Sequence, residues 1–149
     1  MQLSRFTDYT LRVLFYAAIN NDRLTTLSEI AQFYDISIEH LRKVVHALSK
    51  SGYLKTFRGK NGGIQLGMDP ADINIGEVVQ QAEGIRPIID CEHHGCRLTH
   101  FCTLQPILNK AKHAFMAVLK EHTLADLITS KPMQRGLIGS DLANSVADS

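Results

Sequence analysis

No stretch of the 149 residues is apolar over the length needed to cross a bilayer, which removes a helical membrane span from the readings. A secretory leader is not expected either. The apolar run Val13–Ile19 is short, Asp8 and Arg12 stand before it, and Asn20-Asn21-Asp22 follow without a small-residue cleavage pattern. The chain also lacks a glycine-rich nucleotide loop after a strand and any familiar nucleophile–base motif, so nothing in it signs for an enzyme. Cysteine is scarce. Three thiols cannot all pair within one chain, and in a chain expected to be cytoplasmic they suit metal or redox chemistry better than a disulfide framework. What remains is ordinary: 44% hydrophobic and 21% charged residues, with a length that fits one domain or one small domain with an appended helix.

The net charge of +1 conceals an asymmetry. Residues 1–67 carry nine basic and five acidic side chains, and the remainder is acidic on balance. A basic half beside an acidic half points to a polyanionic partner for the first. Residues 4–20 show helical periodicity through Phe6, Val13, Leu14, Ala17 and Ala18, with Asp8 in the first turn, where the helix dipole favours a carboxylate. Thr26-Leu27-Ser28-Glu29 has the form of a capping box and opens a second, short helix. Ser37 caps a third over about Ile38 to Ser51, with Ile38, Leu41, Val44, Val45 and Leu48 inward and Gly52 closing it. Two short helices so joined form a helix-turn-helix, and the second offers Glu39, His40, Arg42, Lys43, His46 and Lys50 on its open face.

An alternating strand over Tyr53–Phe57, a turn Arg58-Gly59-Lys60-Asn61-Gly62-Gly63 tolerant of positive φ, and a return strand Ile64–Leu66 make a hairpin, read as a wing. The fold class expected is mainly α with a small β-hairpin: a winged helix-turn-helix followed by a long helix. Ser37, Glu39, His40 and Lys43 are candidates for base reading in double-stranded DNA. Arg12, Arg42, Lys50, Arg58 and Lys60 suit phosphate or minor-groove contact, with Ser28 and Asn61 as further candidate contacts.

Beyond Asp69-Pro70, Asn74 caps a helix over about Ile75 to Glu83. Leu104 to Leu119 reads as a long helix whose apolar positions step by three or four, suited to pairing two copies as a homodimer. Thr123 opens a short helix by the same capping logic, and the polar sequence from Lys131 reads as a mobile tail. The division expected is 1–83 for DNA binding, 84–103 for a ligand loop, 104–130 for dimerisation and 131–149 for the tail.

All three cysteines fall within Asp90–Cys102, DCEHHGCRLTHFC. The spacing C-x4-C-x5-C lacks the close C-x2-C pairs of zinc fingers. Three thiolates in a loop suit an iron–sulfur cluster. Zinc completed by His93, His94 or His100 and simple redox thiols stay open. Cys102 stands near the start of the long helix, whose dipole favours thiolate.

The opening QLSRFTDYTLRVLFYAA, the wing RGKNGGIQLG, INIGEVV, the cysteine spacing and HTLADL together resemble the family of winged-helix iron–sulfur regulators, on its nitric-oxide-sensing branch, over about residues 1–130. The resemblance implies a homodimeric repressor on a palindromic operator, with nitric oxide as its signal. It implies one cluster per subunit, 4Fe–4S or 2Fe–2S, held by Cys91, Cys96 and Cys102, with the other subunit's Asp8 as fourth ligand. The IscR type of the family uses a histidine three residues after the last cysteine, where this chain has Gln105. Readings of another class are a zinc-stabilised winged-helix scaffold and a small redox protein.

Overall fold

The computed structural model describes residues 1–84 and 86–138. Helix α1 (Arg5–Ile19) is capped by Ser4, whose hydroxyl accepts the Thr7 N–H at 3.2 Å. Its stripe Val13, Leu14, Ala17 and Ala18 is buried against the rest of the core. Helix α2 (Leu27–Tyr34) begins in the expected capping box between Thr26 and Glu29 and ends at Asp35, which takes the left-handed conformation (φ 55°). Helix α3 (Ile38–Lys50) starts from Ser37 and buries Leu41, Val44, Val45 and Leu48. Ile38, expected inward, is instead exposed: it stands in the first turn of α3 between exposed Ser37 and Glu39.

Strands β1 (Leu54–Phe57) and β2 (Gly63–Leu66) pair antiparallel from Leu54 opposite Leu66 to Phe57 opposite Gly63. Thr25 exchanges two backbone bonds with Ile64 (3.0 and 2.7 Å) and pins the hairpin to the segment before α2. The alternation expected of the first strand is not kept. Lys55, Thr56 and Phe57 are all exposed, because only the base of the hairpin, at Tyr53 and Leu54, lies on the core. In the turn, positive φ falls on Gly59 (103°) rather than on Gly62 or Gly63. Gly62 is there for a different reason: a Cβ would sit 2.1 Å from the Phe57 carbonyl oxygen.

After a 3-10 turn at Pro70–Asp72, α4 (Ile75–Glu83) is capped by Asn74 and buries Val78 and Val79. Helix α5 (Leu104–Lys120) has no fully buried residue. It meets α4 at its far end, where Gly76 lies so close that a Cβ would come within 2.7 Å of the Lys120 amide nitrogen. The chain then returns to the core formed by the preceding elements. Ile75 donates to the His122 carbonyl (3.0 Å), Leu124 to that of Ile73 (2.8 Å), and Leu124 in α6 (Leu124–Leu127) is fully buried. Burying one such leucine contributes about 1.5–3 kcal/mol. Residues 121–128 therefore close the winged-helix core rather than extending α5.

The tail expectation is corrected for residues 131–138. They form α7 (Lys131–Ile138), which packs on α1, and Leu137 joins the core. The polar sequence hid a face made of Met133 and Leu137, four residues apart. Residues 139–149 of that expected tail lie outside the described residues. Among the described residues no helix is long and apolar enough to cross a membrane.

Candidate nucleic-acid interface and cysteine loop

Most of the sequence-derived DNA contacts stand on α3 with its cap and on the wing turn, with Ser28 on α2 and Arg12 on α1. Ser37, Glu39, His40, Arg42, Lys43 and Lys50 are all exposed on α3, and Arg58, Lys60 and Asn61 are exposed at the wing turn. Ser28 is exposed in the first turn of α2. Glu39 and Arg42 are tied to each other by an exposed ion pair at 2.6 Å, so Arg42 must exchange one anion for another to reach a phosphate. Lys60 has no such partner among the described ion pairs. Lys60→Ala is expected to weaken all DNA sequences alike and to reduce the slope of log affinity against log salt by about one unit. Titrations of specific and unrelated duplexes at several salt concentrations check this; a change of sequence preference with an unchanged slope would assign Lys60 to base reading instead.

Asp8 and Arg12 turn out to be partners. Arg12 Nε donates to Asp8 Oδ1 at 2.8 Å, one helical turn away, and its guanidinium lies 5.4 Å from the centre of the Tyr34 ring. The Tyr34 hydroxyl in turn donates to the Arg12 carbonyl at 3.2 Å. The bond to Asp8 is the main cause of the upward shift of the Arg12 pKa, and burial pushes the Tyr34 hydroxyl up to about 12. On the other side of Asp8, the Tyr9 ring lies 5.9 Å from that of His40, joining α1 to the front of α3. From the sequence Tyr34 is expected only on the apolar face of α2 with Leu27, Ile30 and Ala31, and Tyr9 carries no expectation. Their contacts cross between helices, and no spacing within one helix reports them.

The cysteine loop runs between α4 and α5 as a series of turns. The Cys96 N–H donates to the Cys91 carbonyl (3.2 Å), and both the N–H and the hydroxyl of Thr99 donate to the Cys96 carbonyl (3.3 and 2.6 Å). All three thiols are free, Cys96 exposed and the other two half-buried. Cys91 and Cys102 line one small pocket with Pro87, Ile89, Leu104, Gln105 and Leu108. Burial pushes the Cys91 thiol up, and the charges of Cys96 and Cys102 act on it in the same direction. Helix α5 opens on Thr103 with no side-chain cap and no acid in its first turn, leaving its N-terminal amides to an anion.

Among the described residues, no three or more His, Cys, Asp or Glu side chains are drawn together around a position for a single metal ion. His93 is instead held by Asp90, whose Oδ1 lies 2.8 Å from Nδ1 and also accepts the His93 N–H. Asp8 is half-exposed, and its ion pair is with Arg12 of its own chain rather than with the loop. The donor set, three free thiols on one loop beside an uncapped helix start, has the chemistry of an anionic cluster of several metals rather than of a closed one-ion site.

An exposed basic helix with an adjoining wing on a compact core, followed by a loop of three thiols, is the arrangement of a winged helix-turn-helix DNA-binding protein. Residues 3–130 match the Rrf2 family, described as "Iron-dependent Transcriptional regulator", and the chain belongs to that family. It is 46% identical over 135 residues to the HTH-type transcriptional regulator NsrR of Bacillus subtilis strain 168, covering 88% of this chain and 92% of that protein. Among solved structures, IscR of T. potens superposes with a TM-score of 0.69 at 26% identity, over 86% of each chain. CymR, the global cysteine regulator of B. subtilis, gives 0.65 at 27%, covering 87% of this chain and 97% of that one.

Proposed function

We propose that the protein is a homodimeric repressor whose grip on a palindromic operator depends on an iron–sulfur cluster and is released by nitric oxide. The observation that carries this is the placing of all three thiols on one loop between the DNA-binding core and a helix whose apolar face is bare. The likeness to NsrR adds the signal. Cys91, Cys96 and Cys102 would hold the cluster, and Asp8 of a second subunit would complete it. Three thiolates and one carboxylate suit the four-iron form. When bound, the cluster would supply iron, a site for nitric oxide.

The chain's own part is mechanical. Leu104, Ile107, Phe115 and Val118 on α5 are exposed and would be covered by α5 of a second copy. Two recognition helices must then stand about one turn of DNA apart, roughly 34 Å, to fit both half-sites. Asp8 as a ligand of the other subunit's cluster would hold α1 against that subunit. Through the contact of Tyr9 with His40, the front of α3 would be held too. Without that ligation Asp8 would keep its bond to Arg12, and the spacing would no longer be fixed. By reciprocity, operator DNA should favour the engaged state by the same factor as engagement favours DNA.

Anaerobic purification followed by iron and sulfide analysis, a visible spectrum and DNA binding with and without nitric oxide tests the reading. Brown protein that leaves its operator on addition of the gas is expected. A colourless zinc protein would support the scaffold reading, and iron-bearing protein indifferent to the gas would remove the signal.

A further inference from the structure

Glu83 is the last residue of α4 and stands immediately before the chain enters the cysteine loop. Its carboxylate does not face solvent alone. Oε1 accepts the Ser4 N–H at 2.6 Å and the Thr7 hydroxyl at 2.6 Å, across 79 and 76 residues of sequence. Thr7 is fully buried, so its hydroxyl requires a partner inside the protein, and Glu83 supplies it together with the Ser4 hydroxyl at 3.1 Å. Burial would raise the Glu83 carboxyl, but the bonds from Thr7 and Ser4 and the charge of Arg86 outweigh it and hold it below its usual value. The anion also sits at the N-terminal end of α1, where the helix dipole favours it. Asp8 follows Thr7 directly, and Gly84 (φ 72°) follows Glu83 directly.

We propose that Glu83 is a positioning residue that fastens the first turn of α1, and with it Asp8, to the base of the cysteine loop of the same subunit. It acts through hydrogen bonds to Ser4 and Thr7 rather than as a metal ligand. The inference rests on the reading of Asp8 as a ligand. Its consequence is that the Asp8 carboxylate is delivered from a helix end that cannot swing freely, because both ends of the connection from α4 to α1 are fixed. A glutamine at 83 keeps an oxygen able to accept both bonds, whereas an alanine leaves the Thr7 hydroxyl buried and unpaired.

The test compares the parent with Glu83→Ala and Glu83→Gln, each with and without Asp8→Ala. In cluster-free protein, amide hydrogen exchange over residues 4–10 is expected to be at least ~10-fold faster in Glu83→Ala than in the parent, and close to the parent in Glu83→Gln. In cluster-loaded protein, Glu83→Ala is expected to show the visible and circular-dichroism signature of Asp8→Ala. Adding Asp8→Ala to it should change nothing further. Unchanged exchange in Glu83→Ala, additive spectral effects of the two substitutions, or Glu83→Gln as damaging as Glu83→Ala would each overturn the proposal, the last by pointing to direct ligation. If Asp8→Ala leaves the parent's spectrum unaltered, the reading of Asp8 as ligand fails and takes the delivery role with it. The exchange data would still decide whether Glu83 fastens α1.

Discussion

Cys102→Ser is expected to yield a colourless protein that folds, carries little iron and binds its operator about 10³-fold more weakly than the loaded parent. A hydroxyl is a hard, neutral donor and does not replace a thiolate toward iron. The loop carrying Cys102 lies outside the hydrophobic core, whose members come from α1 to α4, the hairpin, α6 and α7. Thermal unfolding of the cluster-free forms should therefore agree to within roughly 0.5 kcal/mol, as for a change away from packed features. The affinity loss is set by the gap between specific and non-specific DNA binding, which spans roughly 10³-fold or more. Iron analysis beside binding isotherms at fixed salt checks both parts. Iron-replete Cys102→Ser protein would remove Cys102 from the ligand set; an iron-free variant that binds as tightly as the parent would uncouple the cluster from DNA.

Asp8→Ala should behave differently. The three thiols remain, so part of the iron is retained. What is lost is the response: a change in DNA affinity on nitric oxide of about 10²-fold in the parent should shrink to a few-fold, within the ordinary range of a coupling free energy. Asp8 also pairs with Arg12, but both side chains are over two-fifths exposed and such a pair contributes only ~0.5 kcal/mol. A general loss of stability is therefore not the expected cause. The freed Arg12 still has the Tyr34 ring to lie against. Asp8→Asn, which retains a weak oxygen donor, should fall between parent and alanine variant. The measurement is the ratio of operator affinities before and after the gas, under anaerobic conditions. If Asp8→Ala senses as well as the parent, the carboxylate has no part in the switch.

The two predictions draw on different kinds of legibility. Cys91, Cys96 and Cys102 could be read at once, since soft ligands are rare and their clustering within one loop is visible in one dimension. Asp8 could not be so read. A carboxylate in the first turn of a helix has an ordinary explanation in the dipole, and only the resemblance lifted it above that. Arg12 was expected on a phosphate; its bond to Asp8, four residues away, follows the spacing that puts side chains one helical turn apart side by side. The partners of Glu83 and Tyr34 have no sequence signal, because they lie 76 and 22 residues away.

Local rules carried the helices. The serine, threonine and asparagine caps at Ser4, Ser37, Thr26, Thr123 and Asn74 mark true helix starts, since each satisfies a backbone N–H within its own turn. The hydrophobic stripes of α1 and α3 followed for the same reason: periodicity is a property of a single helix. Tertiary structure decided the rest. Whether Ile38 or Phe57 is covered depends on how far the core extends beneath α3 and the wing. That Leu124 and Leu137 close the core depends on the chain returning to α1 and α4 after a 17-residue excursion along α5. Burial and long-range pairing are properties of the whole packed molecule, which a local pattern cannot contain.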